Sequence, residues 1–237
     1  MNQFPFICFR LQLILRHLNA CFCCQMDYDI KILFLARFGV IDGNTKTVDQ
    51  RQFLLHGIKK IKMDDIAKIL GISKRTLYEI YQDKEQLLYE GLLETEEHID
   101  AYLLNYAQGG KRNAVEILME SYYIQVDAFS HINPQFFIDI PKYKTVMEMH
   151  AKRRKEREKT ISDFFQWGIE EGYFRQGTNF AIITEVVQNA MTYIIETGMY
   201  NKYSFQSIFD NTILVFIRGM CTEKGIQIVD EKSSRRR

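Results

Sequence analysis

The sequence predicts an all-α protein, on three observations. Apolar residues recur at three- and four-residue steps through most of the chain. The period-two alternation of a half-buried strand does not persist anywhere. The 237 residues hold only three prolines, Pro5, Pro134 and Pro141. A chain of this length suits a small domain plus one larger one, and no internal repeat or low-complexity linker divides it. Beyond residue 43 the only cysteine is Cys221. A disulfide framework is therefore not expected, and a reducing, cytoplasmic setting is.

Residues 1–43 differ in composition from the rest, with Cys8, Cys21, Cys23 and Cys24 among scattered Phe, Leu and Ile. Arg10, Arg16 and His17 interrupt the apolar stretch, which argues against a signal peptide and against a bilayer span. The cysteine spacing lacks the paired two-residue gaps of a zinc site, so no metal and no membrane partner are expected. This segment reads as an atypical N-terminal extension, with a hydrophobic helical cap as the competing reading. From Asn44 to Gln52 the apolar period nearly vanishes. Phe53, Leu54 and Leu55 then read as the last turn of a shortened first helix.

The stretch from Met63 to Glu90 predicts two short helices around a tight turn, with a third helix straight after. Ile66, Ala67 and Leu70 mark the apolar face of the first. Gly71 sits where the chain must turn. Ser73 stands as the N-cap of the second, whose apolar face is assigned to Leu77 and Ile80. This is the layout of a helix-turn-helix, whose second helix enters the major groove. Between Lys59 and Lys84 the cations Lys59, Lys60, Lys62, Lys68, Lys74, Arg75 and Lys84 outnumber the acids Asp64, Asp65, Glu79 and Asp83, while the whole chain carries only +1. A basic patch on a near-neutral chain is an electrostatic footprint for double-stranded DNA.

These residues resemble the DNA-binding domain of TetR/AcrR-type transcriptional regulators over about Val48 to Leu93. The resemblance is carried by Asp65-Ile66-Ala67, Gly71-Ile72-Ser73, Thr76-Leu77-Tyr78 and Tyr81 with Asp83-Lys84-Glu85 and Leu87-Leu88. It implies that Thr76, Tyr78, Tyr81 and Lys84 contact the phosphate backbone, and that Lys74 and Arg75 stand over base edges or phosphates. Lys62 and Ser73 complete the expected DNA-binding set. Two features depart from the family pattern. Lys62 replaces the usual hydroxyl cap of the first motif helix, a change worth about 1 kcal/mol of capping, and the preceding helix is short.

The implied organisation is an extension at 1–43, a helix-turn-helix domain at 44–93, a helical effector-binding and dimerisation domain at 94–225 and a polar tail at 226–237. Within the larger domain the expected helices are 85–94, 99–106, 114–131, a short element at 135–142, then 143–171, 180–198 and 205–220. The resemblance makes the last two a homodimer interface, assigned to Ile183, Val187, Met191, Ile194, Phe209, Ile213, Phe216 and Met220. Two-fold symmetry would double a small reading head onto a palindromic operator. A small-molecule effector of unknown identity is expected in an aromatic pocket formed by Tyr122, Tyr123, Phe129, Phe137, Phe164, Phe165 and Trp167, which suits an apolar or amphipathic ligand. Each aromatic has a simpler reading as core filling.

The cations of 142–159 read as the solvated face of a long helix, with Lys152/Glu156 and Arg154/Glu158 four residues apart. No glycine-rich phosphate loop, nucleophile elbow or histidine pair at ligand spacing is present. No catalytic residue, metal ligand or cofactor is assigned, and an enzyme is not expected. The expected function is a ligand-responsive repressor. The alternative is a DNA-incompetent helical dimer that binds only a ligand or a protein partner because its first helix is short.

Overall fold

The computed structural model describes residues 52–110 and 112–235. The expected extension and the start of the first helix lie outside these residues. Residues 52–56 are helical. There follow α1 (Met63–Leu70), α2 (Lys74–Ile80), α3 (Lys84–Gln108), α4 (Ala114–His131) and α5 (Gln135–Asp139), which runs into a 3-10 turn at Ile140–Lys142. Then come α6 (Lys144–Glu170), α7 (Phe180–Glu196), a 3-10 turn at Met199–Asn201, α8 (Phe205–Asn211), α9 (Ile213–Met220) and α10 (Glu223–Ser234). Among the described residues the only β pairing is a single bridge between Phe174 and Cys221.

Local chemistry sets the helix starts. Asp83 caps α3 by accepting the Gln86 N–H at 2.8 Å. Asn113 and Glu116 cap α4 reciprocally, at 3.0 and 3.2 Å. Such caps satisfy backbone donors that the helix itself leaves open.

Three elements differ from expectation. Helix α3 is one 25-residue helix where two segments were expected, because nothing between Glu94 and Ile99 breaks it and its end waits for Gly109. The 205–220 segment splits into α8 and α9 at Thr212, whose backbone leaves the helical region at φ −123° and ψ −78°. Of the residues expected as a polar tail, 226–234 belong to α10. Thr222 caps it, Gly225 and Val229 are buried, and Lys232 donates to the Tyr106 hydroxyl at 3.1 Å. A cap and two apolar contacts four residues apart suffice to dock a mostly polar helix.

The body is organised around α4, which packs against α3, α6, α8 and α10. It buries Val115, Ile117, Leu118, Met119, Tyr122 and Phe129 around most of its circumference, as an apolar-all-round helix must. Polar groups enter this core with partners. Glu96 of α3 is fully buried, ion-paired to Arg153 and 3.5 Å from His150, both of α6. Tyr122 donates to Asp210 at 2.7 Å. These contacts tie α3 to α6 and α4 to α8.

Candidate nucleic-acid interface

The head is built by α1 and α2. Ile66 and Ala67 are buried and Leu70 is half-buried, forming the inner stripe of α1. Gly71 ends α1 in the left-handed region at φ 66°, and its N–H returns to Lys68 O at 3.2 Å. A residue with a Cβ is strained in that region. Ser73 then caps α2, accepting the Thr76 N–H at 3.0 Å, while the Ser73 and Thr76 hydroxyls meet at 2.8 Å. Leu77 is fully buried, but Ile80 is half exposed. The inner face of α2 is therefore Leu77 with Tyr81, four residues apart, rather than Leu77 with Ile80.

This packing turns the expected DNA-binding set outward, with two exceptions. Lys62, Ser73, Lys74, Arg75, Thr76 and Tyr78 are exposed. Tyr81 is 4% exposed and lies in the core. Lys84 is half-buried, its ammonium 5.6 Å from the centre of the Phe53 ring, and burial pulls its pKa below the usual lysine range. Lys74 bonds Asp64 at 2.7 Å, which raises its pKa, and Arg75 bonds Glu79 at 3.0 Å. Lys62 offers no acceptor to α1. In its place Asp65 reaches back to accept the Lys62 N–H at 3.0 Å, restoring half of the cap that the lysine removed.

The head is fastened to the body at a seam that the sequence did not reveal. Asp139, 1% exposed, accepts the Lys59 N–H at 2.9 Å, the Gln135 amide at 3.1 Å and the Lys142 ammonium at 3.0 Å. Burial raises the Asp139 pKa, but these donors outweigh it and hold the carboxyl below its usual value. Asn133 donates to Leu54 O at 2.8 Å and to Leu55 O at 3.2 Å. Glu85 accepts the Thr145 N–H at 2.6 Å. Gly57 turns with φ 83°, and a Cβ there would stand 2.8 Å from Gln135 Cγ. The only sequence signal for this seam was the Asn133-Pro134 break, which does not say what docks on it.

In the body, the expected pocket aromatics are packed into two clusters. Phe129 stacks on Phe137 at 4.9 Å and meets Phe209 at 5.0 Å, and Tyr122 meets Tyr123 at 5.3 Å. Phe165 stacks on Phe180 at 3.9 Å, and Phe164 meets Trp167 at 5.9 Å. A groove of about 960 Å³ lies between α6 and α7, lined among others by Ile161, Gln166, Ile169, Phe180, Thr184 and Gln188. None of the expected pocket residues lines it.

Six of the eight expected interface residues are internal. Val187, Met191, Ile194, Phe209, Ile213 and Met220 are buried in the chain's own core, and Ile183 and Phe216 pack against it. A side chain already buried in the protomer has little area left to give a partner. The exposed apolar residues of these helices are Ile182, Val186 and Tyr193 on α7 and Val215 on α9. At 100° per residue, α7 thus has three faces, to the core, to the groove and to solvent.

Among the described residues no helix is long and apolar enough to cross a membrane. Residues 50–90 match the model of the family described as bacterial regulatory proteins, tetR family. No curated protein matches the chain. Among solved structures the chain is similar to the ketosteroid transcriptional regulator KstR2 of Mycobacterium tuberculosis. The identity is 19%, the match covers 76% of this chain and 95% of that one, and the TM-score is 0.50. At that identity the likeness speaks for the fold, an N-terminal head on an all-helical body. Residues 50–90 therefore carry a helix-turn-helix similar to that of the tetR family, seated on an all-helical body.

Proposed function

We propose that this chain is a homodimeric repressor that holds a palindromic operator and releases it when a small molecule binds the body. The observation that carries the reading is the outward face of α2. It presents Lys74, Arg75, Thr76 and Tyr78 to solvent from a helix that is capped, short and packed through one buried face. Two such heads, about 34 Å apart, read successive turns of DNA on one side of the duplex. Dimerisation uses the solvent face of α7 and α9, where Ile182, Val186, Tyr193 and Val215 are exposed. A regulator of genomic DNA works in the cytoplasm.

The effector site is the groove between α6 and α7. Its volume fits a small-molecule pocket, and its amides and hydroxyls beside Phe180, Ile161 and Ile169 suit an amphipathic ligand. Release follows if the ligand favours a body conformation in which the two heads no longer match the DNA turn.

Selection of genomic fragments by the purified full-length protein at physiological salt tests the reading. Recovery of one palindrome is the expected result. Recovery of background alone would favour the DNA-incompetent dimer. Lys84→Ala should weaken binding to every duplex and flatten its salt dependence, and Tyr78→Ala should lower affinity more than it lowers the melting temperature. If both variants bind as the wild type does, the docking geometry is wrong.

A further inference from the structure

We infer that the body adds DNA-phosphate contacts of its own, through a lysine cluster at the seam that joins it to the head. The inference rests on the operator-binding reading above. The cluster draws Lys59 and Lys84 from the head, Lys142 from the 3-10 turn after α5 and Lys144 from the start of α6. Asp139 joins the two sides: its carboxylate takes the Lys59 backbone N–H at 2.9 Å and the Lys142 ammonium at 3.0 Å, and Lys84 lies near enough to feel its charge. Lys144 immediately precedes Thr145, whose N–H donates to Glu85 at 2.6 Å, and Glu85 immediately follows Lys84. Lys144 and Lys84 are therefore chain neighbours of the two ends of one short hydrogen bond.

The acids at this seam, Asp139, Glu85 and Glu148, are themselves engaged. Asp139 is buried and bonded, and Glu85 is held by the Thr145 N–H. Glu148 faces Lys144 only at 3.6 Å, with the lysine 87% exposed. A solvated pair at that distance contributes little and yields to a phosphate. Lys142 is 57% exposed, and the Lys59 side chain is exposed as well. Duplex DNA carries one negative charge per ~1.7 Å of axis, so a phosphate track that reaches Lys84 continues alongside its neighbours.

Affinity measured against salt concentration tests the inference, on a random-sequence duplex of ~40 bp, roughly four helical turns. The chains compared are the wild type, Lys59→Gln/Lys144→Gln and Lys84→Gln. Each lost phosphate contact flattens the slope of log K against log salt by ~0.9. The double variant should therefore flatten it by roughly 1.8 per protomer while melting as the wild type does, since neither ammonium holds a buried partner. Should the pair melt early, Lys144→Gln alone carries the test, with an expected loss of ~0.9. A slope unchanged by these variants but flattened by Lys84→Gln overturns the seam contact and leaves the head's reading intact. A wild-type chain that binds no duplex overturns both.

Discussion

In the head, ion pairs stand in solvent. Lys74 and Asp64 are 59% and 50% exposed at 2.7 Å, and Arg75 and Glu79 are 89% and 61% exposed at 3.0 Å. In the body, Glu96 is fully buried against Arg153 and His150, and Asp139 is buried beneath Lys142. The same residue types therefore do different work. A solvated pair is worth roughly 0–1 kcal/mol, so a phosphate can displace it at little expense to the fold. A buried charge stripped of its partner costs about 3–5 kcal/mol, so the interior pairs fix how the helices sit. The head keeps its cations exchangeable, and the body keeps its shape.

The largest expected effect tests the second half of that contrast. Glu96→Ala leaves the Arg153 guanidinium without its buried counter-charge and should destabilise the chain by about 3–5 kcal/mol, read as a fall in the urea midpoint. A loss below about 1 kcal/mol would put the Glu96 site on the same footing as the exposed pairs and erase the distinction.

Asp139 stands between the two regimes, buried but at the seam. Asp139→Asn removes a charge that three donors share and should cost about 1.5–3 kcal/mol at neutral pH. The pH dependence follows from the lowered pKa of Asp139 in the folded chain. The folded state holds that proton less well than the unfolded state, so the stabilisation is full above the ordinary carboxylate pKa and is lost as pH falls through the folded one. The gap in urea midpoint between wild type and Asp139→Asn should close on acidification. A gap that widens would mean the carboxyl is protonated in the native seam.

Packing gives a third effect of similar or smaller size. A Cβ at Gly168 would overlap the Phe174 ring and come within 3.0 Å of the Ala114 side chain. Gly168→Ala should therefore cost about 1–3 kcal/mol by overpacking, despite alanine's better helix propensity. If thermal melting shows a gain instead, the second aromatic cluster is looser than its ring contacts imply.

The contrast also explains what could be read from the sequence. The head's geometry is set by local signals, and two of these were legible: Gly71 at the turn and Ser73 capping α2. The body depends on which apolar stripe of a helix faces inward, and spacing alone does not say. Helix α7 carries Val187, Met191 and Ile194 on one stripe and Ile182, Val186 and Tyr193 on another, so both stripes satisfy the same period. The exchange of Ile80 for Tyr81 in α2 is the same ambiguity on a smaller scale. Asp139 gave no signal, because a carboxylate beside an apolar run reads as a surface residue until the backbone N–H of Lys59, eighty positions away, is brought to it.

The smallest expected effect concerns Arg75 and Glu79, and it tests the first half of the contrast most directly. They lie four residues apart on α2 and almost wholly in solvent. A double-mutant cycle with Arg75→Ala and Glu79→Ala should return a coupling of only about 0.2–0.5 kcal/mol in stability. Against DNA the two residues should part company. Arg75→Ala removes an outward-facing cation and should weaken binding. Glu79→Ala frees that cation and removes a nearby negative charge, and should strengthen binding, most visibly at low salt where screening is weak. If Glu79→Ala weakens binding as Arg75→Ala does, the pair acts as a positioned unit, and the head's ion pairs are no more exchangeable than those of the body.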